Sequence, residues 1–163
     1  MKSRYIVFAF MLVFTGYLFA QVDLPRLSPK ASVSQTIGYT NITIDYGRPG
    51  VKERTIWGGL VPYNQVWRTG ANEATTIQFT TDVTVNGEKV PAGKYSLFTV
   101  PTPDMWTVVF NKVDKQWGAF NYKQEDDLLR FDVKPERGAF TERLLFTFGN
   151  MTDSTTAQTR VPF

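Results

Sequence analysis

The fold is decided by residues 75–100, which read TTIQFTTDVTVNGEKVPAGKYSLFTV. Apolar and polar side chains alternate along this stretch, at Ile77 and Phe79 and again at Tyr95 and Leu97. A period of two places successive side chains on opposite faces of an extended chain. The stretch therefore predicts β-strands.

The dipeptide Asn86-Gly87 predicts a tight turn inside this stretch, between 83–85 and 89–90. Both central positions of the favoured two-residue turn need a positive φ, which asparagine and glycine tolerate. The sequence thus predicts a β-hairpin there.

The same alternation extends outward from this stretch. It is present upstream at residues 41–46 and downstream at residues 105–111, 128–133 and 143–148. No segment has a sustained helical period in its sequence. About eight short strands separated by turns predict an all-β fold, either an antiparallel β-sandwich or a jelly-roll-like barrel.

Two long segments, residues 47–63 and 111–127, lack this alternation. Long irregular segments are uncommon in a compact domain unless they have a function or carry a short helix. We therefore expect a long loop insertion in the sandwich and regard both segments as candidates for function.

Residues 1–20 have the pattern of a secretory signal peptide, with Lys2 and Arg4 before an apolar run that ends at Ala20. The run is shorter than the ~20 residues needed to cross a bilayer, and no basic cluster follows it. We expect cleavage after Ala20, a secreted or periplasmic location, and no stable membrane insertion afterwards.

Residues 21–32 are interpreted as a linker, because Pro25 and Pro29 oppose regular strand pairing. The remaining residues, 33–163, have the length of a single domain that buries enough surface to fold without disulfides.

The chain contains no histidine and no cysteine. This composition removes the usual general base, the commonest zinc ligands and the thiolate nucleophile. The acidic run at 124–127 lacks the ligand spacing of a calcium loop. We therefore expect no metal and no cofactor.

Charge argues against a nucleic-acid partner. Loss of Lys2 and Arg4 with the signal peptide would leave 16 of the 18 basic side chains against 15 acidic ones. A chain so close to neutral, with no basic stripe, lacks the electrostatic footprint of a nucleic-acid-binding protein.

The strongest site candidate is the segment 63–73, which reads YNQVWRTGANE. It concentrates a guanidinium, carboxamides, a carboxylate, a phenol and an indole between predicted strands. A ligand pocket needs this mixture of apolar walls and a few convergent polar groups. We expect Trp67, Arg68, Asn72 and Glu73 to contribute to such a pocket.

Two more arginines, Arg48 and Arg54, lie in Gly- or Pro-containing segments like that of Arg68. Guanidinium groups that converge in a cleft bind carboxylate, sulfate or phosphate through forked hydrogen bonds. The alternative is that these arginines form ion pairs that fix the long loop to the sandwich. The carboxylates available for such pairs are Asp45, Glu53 and Glu73.

Three functions fit these residues. The leading interpretation is a module that binds a small polar molecule or glycan, with tryptophans as stacking faces for sugar rings. The second is a carboxylate-dependent hydrolase or lyase that uses Glu73 and Asp45, which requires that burial separates their pKa values. The third is a purely structural envelope protein.

Several motifs are shared with a known family. They are YGRP at 46–49, RTIWG at 54–58, LVPY at 60–63, VWRTGANE at 66–73, VNG at 85–87 and PAGKYS at 91–96. Through them the chain resembles the exported bacterial family called domain of unknown function 2911. The resemblance implies export but carries over no catalytic residue. Members of that family end in a further apolar strand, whereas residues 152–159 are polar here, which implies a shorter or open last sheet edge.

Overall fold

The computed structural model describes residues 24–149 and the backbone of residues 158–160. The predicted signal peptide and its cleavage site lie outside the described residues. Among the described residues, no helix has the length and apolar character needed to cross a bilayer.

The described residues form an all-β structure. The strands are β1 Lys30–Ile37, β2 Thr40–Gly47, β3 Thr75–Phe79, β4 Val83–Val85, β5 Glu88–Val90, β6 Gly93–Pro101, β7 Trp106–Asn111, β8 Asp127–Val133, β9 Thr147–Gly149 and β10 Gln158–Arg160. A 3₁₀ turn at Gln124–Asp126 precedes β8.

Six strands form one antiparallel sheet in the order β1-β2-β3-β6-β7-β8. The hairpin β4–β5 and the pair β9–β10 are separate two-stranded sheets. Because β1 and β8 stand at opposite ends of the strand order, the large sheet is open. Of the two architectures expected from the sequence, the structure therefore supports the sandwich.

One face of the large sheet carries the main core. Ile44 pairs with Ile77, and Ile77 pairs with Tyr95, so apolar side chains align across β2, β3 and β6. Val90 from the hairpin and Phe146 pack into the same cluster. The hairpin and residues 144–148 thus form the second, smaller layer of the sandwich.

The opposite face is covered only in part. Phe98 and Val109 project there and are completely buried, and Tyr122 from the segment between β7 and β8 packs against them. This segment is fixed by Ser96, whose Oγ donates to the Val113 carbonyl at 2.8 Å. The long segment at 111–127 is therefore a cover for one end of the sheet.

Most strand predictions are confirmed, including the hairpin, in which Asn86 and Gly87 have φ values of +51° and +86°. Two assignments need correction. Residues 30–32, which the sequence analysis gave to the linker, pair with β2 from Lys30 opposite Gly47 to Ser32 opposite Asp45.

The second correction concerns residues 143–148, predicted as one strand, of which only the last two fall in β9. Leu144 and Phe146 alternate inward as expected. The backbone there bonds to the long loop instead of a strand, since the Leu144 amide donates to the Pro49 carbonyl at 3.0 Å. An alternating sequence indicates which side chains are buried, but it does not determine which segment the backbone pairs with through hydrogen bonds.

Candidate functional site

The segment that carries Arg68 precedes β3 in the chain and pairs with the C-terminal end of β6. The Trp67 amide donates to the Thr99 carbonyl at 2.8 Å, and the Thr99 amide donates back to Trp67 at 2.9 Å. The Asn64 amide likewise donates to the Pro101 carbonyl at 2.9 Å. Backbone pairing to a central strand therefore positions Arg68.

The residue after Arg68 has an unusual backbone. Thr69 has a φ of +52°, although it is β-branched and fully buried. Such a conformation costs roughly 1–3 kcal/mol and persists only where surrounding contacts impose it. Those contacts include Thr75, whose hydroxyl donates to the Thr69 carbonyl at 2.9 Å, and Thr99, whose hydroxyl lies 3.1 Å from that of Thr69. Strain of this kind is common at functional sites.

Gly47 joins two of the sequence motifs. A Cβ at this position would overlap the carbonyl group of Ala71. The YGRP motif at 46–49 and the VWRTGANE motif at 66–73 are thus in backbone contact, and only glycine permits this approach.

Arg68 is half-buried, and its backbone carbonyl accepts a hydrogen bond from the Thr75 amide at 3.2 Å. Its Nε is fully buried and has no hydrogen-bond partner within the part of the chain that the structure describes. Burial lowers the pKa of the Arg68 guanidinium, but arginine stays charged at neutral pH. An unsatisfied buried donor costs about 1–3 kcal/mol. A group of this kind in a native fold calls for a functional or structural reason.

Arg68 lines a pocket of about 300 Å³, here called the Arg68 pocket. Its lining residues are Leu60, Val61, Pro62, Gln65, Val66, Trp67, Arg68, Ala119 and Phe120. Leu60 and Phe120 are apolar yet 53% and 83% exposed, and Gln65 adds an amide. The pocket thus combines one cation, one amide and apolar walls from both long loops.

Arg48 and Arg54 do not join Arg68. Arg48 Nε donates to the Leu144 carbonyl at 2.9 Å. Arg54 Nη2 donates to the Gly50 carbonyl at 2.7 Å. Both guanidinium groups therefore hold the long loop in place through backbone carbonyls, and neither lines the Arg68 pocket.

The ion pairs considered for these arginines are also not formed within residues 24–149. Glu73 pairs instead with Arg26 at 2.8 Å and with Lys30 at 3.4 Å, while Asp45 pairs with Lys94 at 3.1 Å. Two of the three carboxylates, Glu73 and Asp45, are thus paired with other cations, and neither pairs with Arg68.

Asn72 and Glu73 hold the chain that leads into β1. Asn72 Nδ2 donates to the Ser28 carbonyl at 3.1 Å. The hydrogen bond from Arg26, together with the charge of Lys30, lowers the pKa of Glu73 to about 2. Of the six residues that the sequence nominates as ligand-binding, the structure brings only Trp67 and Arg68 into the Arg68 pocket.

Glu73 lines a second, larger depression of about 620 Å³, here called the Trp117 groove. Its lining residues are Lys30, Ala31, Ser32, Asp45, Tyr46, Gly47, Glu73, Ala74, Thr76, Lys94, Asp114, Lys115, Gln116 and Trp117. Asp45, Thr76 and Lys94 lie on the sheet face opposite the main core, because they alternate with Ile44, Ile77 and Tyr95.

The two carboxylates proposed for acid/base catalysis, Glu73 and Asp45, therefore share one groove. Burial alone would raise the pKa of Asp45, but hydrogen bonds from Ser32 and Lys94 outweigh it and leave the pKa below its ordinary value. Since the pKa of Glu73 is lowered as well, both groups are ionised at neutral pH. An acid/base pair needs pKa values pushed apart, so this geometry does not favour the hydrolase interpretation.

Three of the tryptophans pack against one another. The Trp57 ring lies edge-on to Trp106 at 4.5 Å and to Trp67 at 5.6 Å. Trp117 differs, because this residue is 56% exposed. The accessible aromatic faces at the two depressions are thus Trp117 and Phe120. Phe120 and Leu60 were not predicted as site residues, because no local pattern in a sequence marks an exposed apolar side chain inside an irregular loop.

The fold and its loops define an all-β sandwich of unequal layers, in which one loop presents an arginine whose buried Nε has no hydrogen-bond partner among the described residues. The chain belongs to the family described as protein of unknown function (DUF2911), whose sequence profile matches residues 28–161. The resemblance seen in the sequence motifs is thereby confirmed. Comparison with curated proteins gives no match, and comparison with solved structures gives none.

Proposed function

We propose that this protein is an exported module that binds a small anionic ligand in the Arg68 pocket and performs no chemistry on it. The observation that supports this function is the half-buried Arg68 guanidinium, whose Nε has no hydrogen-bond partner among the described residues. A carboxylate, sulfate or phosphate held in the pocket would accept forked hydrogen bonds from this guanidinium.

The pocket walls indicate what else the ligand carries. Leu60 and Phe120 offer exposed apolar surface beside the guanidinium, which favours a ligand with a ring or a hydrocarbon face next to its acidic group. The Gln65 amide can bond a hydroxyl. A volume of about 300 Å³ lies at the lower limit of ligand pockets, roughly 300–1,000 Å³. An acid of monosaccharide size fits this description.

Export is part of the proposal and depends on the pattern of residues 1–20. The absence of histidine and cysteine from the whole chain supports a binding role over a catalytic one, and so do the two ionised carboxylates in the neighbouring groove.

The test is isothermal titration calorimetry with glucuronate, glucose 6-phosphate and N-acetylglucosamine 6-sulfate, with glucose as the uncharged control. We expect at least one acidic probe to bind and glucose to fail. Arg68→Met should abolish the binding, because it removes both charge and donors. Arg68→Lys should weaken it ~10-fold or more, since an ammonium lacks the planar fork.

Arg137→Met is the matched control, because it removes the same charge from an exposed residue that does not line the Arg68 pocket. It should bind like the wild type. Equal binding by Arg68→Met and Arg137→Met would refute the proposed function, and so would failure of every acidic probe to bind.

A further inference from the structure

We propose that the Trp117 groove is a second binding site, which takes an uncharged saccharide chain by stacking a sugar ring on Trp117. This inference goes beyond the proposed function, because it concerns another depression, another ligand chemistry and other residues. It stands or falls without the Arg68 pocket.

The Trp117 ring is presented outward by a fixed backbone. Residues 116–118 run alongside residues 72–74, with Trp117 bridged to Glu73. The Ala74 amide donates to the Gln116 carbonyl at 2.9 Å, and the Gly118 amide donates to Asn72 at 3.1 Å. Trp117 as a residue is nevertheless 56% exposed. A large aromatic held in place but left in solvent offers a preorganised face for the apolar side of a sugar ring.

The groove carries no net charge on its lining. Three cations and three anions contribute to it, namely Lys30, Lys94, Lys115, Asp45, Glu73 and Asp114. A lining without net charge favours an uncharged ligand over an ion.

The charges also form donor–acceptor pairs. Lys94 lies 3.1 Å from Asp45, and Lys30 lies 3.4 Å from Glu73. Each pair holds a donor and an acceptor side by side, which is the pattern that two neighbouring sugar hydroxyls can bridge. The lowered pKa values of both carboxylates keep them as acceptors at neutral pH.

Gln116 provides a second, independent observation in the same groove. The residue is only 9% exposed, and its Nε2 donates to Asn111 Oδ1 at 3.0 Å and to the Val113 carbonyl at 2.8 Å. Its Oε1 is buried and accepts no hydrogen bond from the described residues. An acceptor left without a donor in the lining of a polar groove matches a ligand rich in hydroxyl groups.

Size favours a chain over a single sugar. The groove has about 620 Å³, roughly twice the volume of the Arg68 pocket. It extends from Trp117 across the polar face of the sheet to Ser32 on β1, so several sugar units can lie along it.

The test is calorimetry of the full chain with four neutral hexasaccharides: cellohexaose, maltohexaose, xylohexaose and chitohexaose. Tryptophan fluorescence is recorded in parallel, because a ring stacked on Trp117 changes its emission. We expect at least one probe to bind. Trp117→Ala should weaken that binding ~10-fold or more, while Trp117→Phe, which keeps an aromatic face, should retain most of it.

Tyr39→Ala is the matched control, because Tyr39 is a fully exposed aromatic residue that lines neither depression. It should bind like the wild type. If no hexasaccharide binds the full chain, or if Trp117→Ala binds as tightly as Tyr39→Ala, the inference is wrong. Because Trp117 is exposed, its replacement leaves the core intact, which the urea midpoint of each variant checks.

Discussion

Replacing Arg68 by methionine should stabilise the protein when no ligand is present. The Arg68 guanidinium is partly desolvated, and its buried Nε lacks a hydrogen-bond partner within the described residues. An unsatisfied buried donor costs about 1–3 kcal/mol. Methionine has a stem of similar length and no polar hydrogen. The variant should therefore gain about 1–2 kcal/mol, since it keeps most apolar contacts and removes the penalty.

Urea unfolding followed by tryptophan fluorescence measures this gain as a higher midpoint at an unchanged m-value. A domain of this size should also melt about 3–8 °C higher, because each 1 kcal/mol corresponds to roughly 3–4 °C. Arg137→Met, at an exposed site, should change stability by less than about 0.5 kcal/mol. A loss of about 3–5 kcal/mol in Arg68→Met would refute the reasoning, because that is the cost of breaking a buried ion pair.

Three further predictions concern the loops and the core. In the folded chain the pKa of Glu73 is about 2, below its ordinary value of 4.5. The contact with Arg26 therefore stabilises the fold above pH 4.5, and this stabilisation is lost as the pH falls toward 2. Arg26→Met should flatten this part of the stability–pH curve by ~1 kcal/mol or less, since the pair is exposed. An unchanged curve would contradict the pairing. Gly47→Ala should cost about 1–3 kcal/mol in urea unfolding, because its methyl group meets the Ala71 carbonyl; a neutral effect would mean that the loop lies elsewhere. Phe146→Ala should cost about 3–5 kcal/mol, because Phe146 is 1% exposed in the core, and a loss below ~1 kcal/mol would argue against the second layer.

The sequence predicted the strands wherever apolar and polar side chains alternate clearly over a short stretch. Asn86-Gly87 specified its hairpin because the turn depends only on the φ values of those two residues. The sequence of β1, KASVSQTI, has lysine and small polar residues at its exposed positions and glutamine at one inward position, so its alternation is weak. That strand forms because β2 offers an edge, which is a tertiary effect.

The sequence predicted which segment carries the candidate site, but it did not predict which side chains lie together there. Arg48 and Arg68 look alike in sequence, yet Arg48 bonds to a carbonyl 96 residues away, and no local pattern reports such a contact. Phe120 meets the Arg68 segment only because the loop after β7 folds back over the sheet. Sequence reasoning thus found the loop that carries Arg68, and tertiary structure determined which side chains share its pocket.

Nuclear magnetic resonance of the arginine side chains tests whether Arg68 is a ligand-binding group. The buried Nε proton of Arg68 should give a resolved signal, assigned by its loss in Arg68→Met. The Arg68 signal should shift on titration with at least one of glucuronate, glucose 6-phosphate and N-acetylglucosamine 6-sulfate. The signal of Arg54 should stay in place, because the Arg54 Nε already donates to the Val51 carbonyl at 3.0 Å. An Arg68 signal that does not move with any of the three would contradict the proposed function.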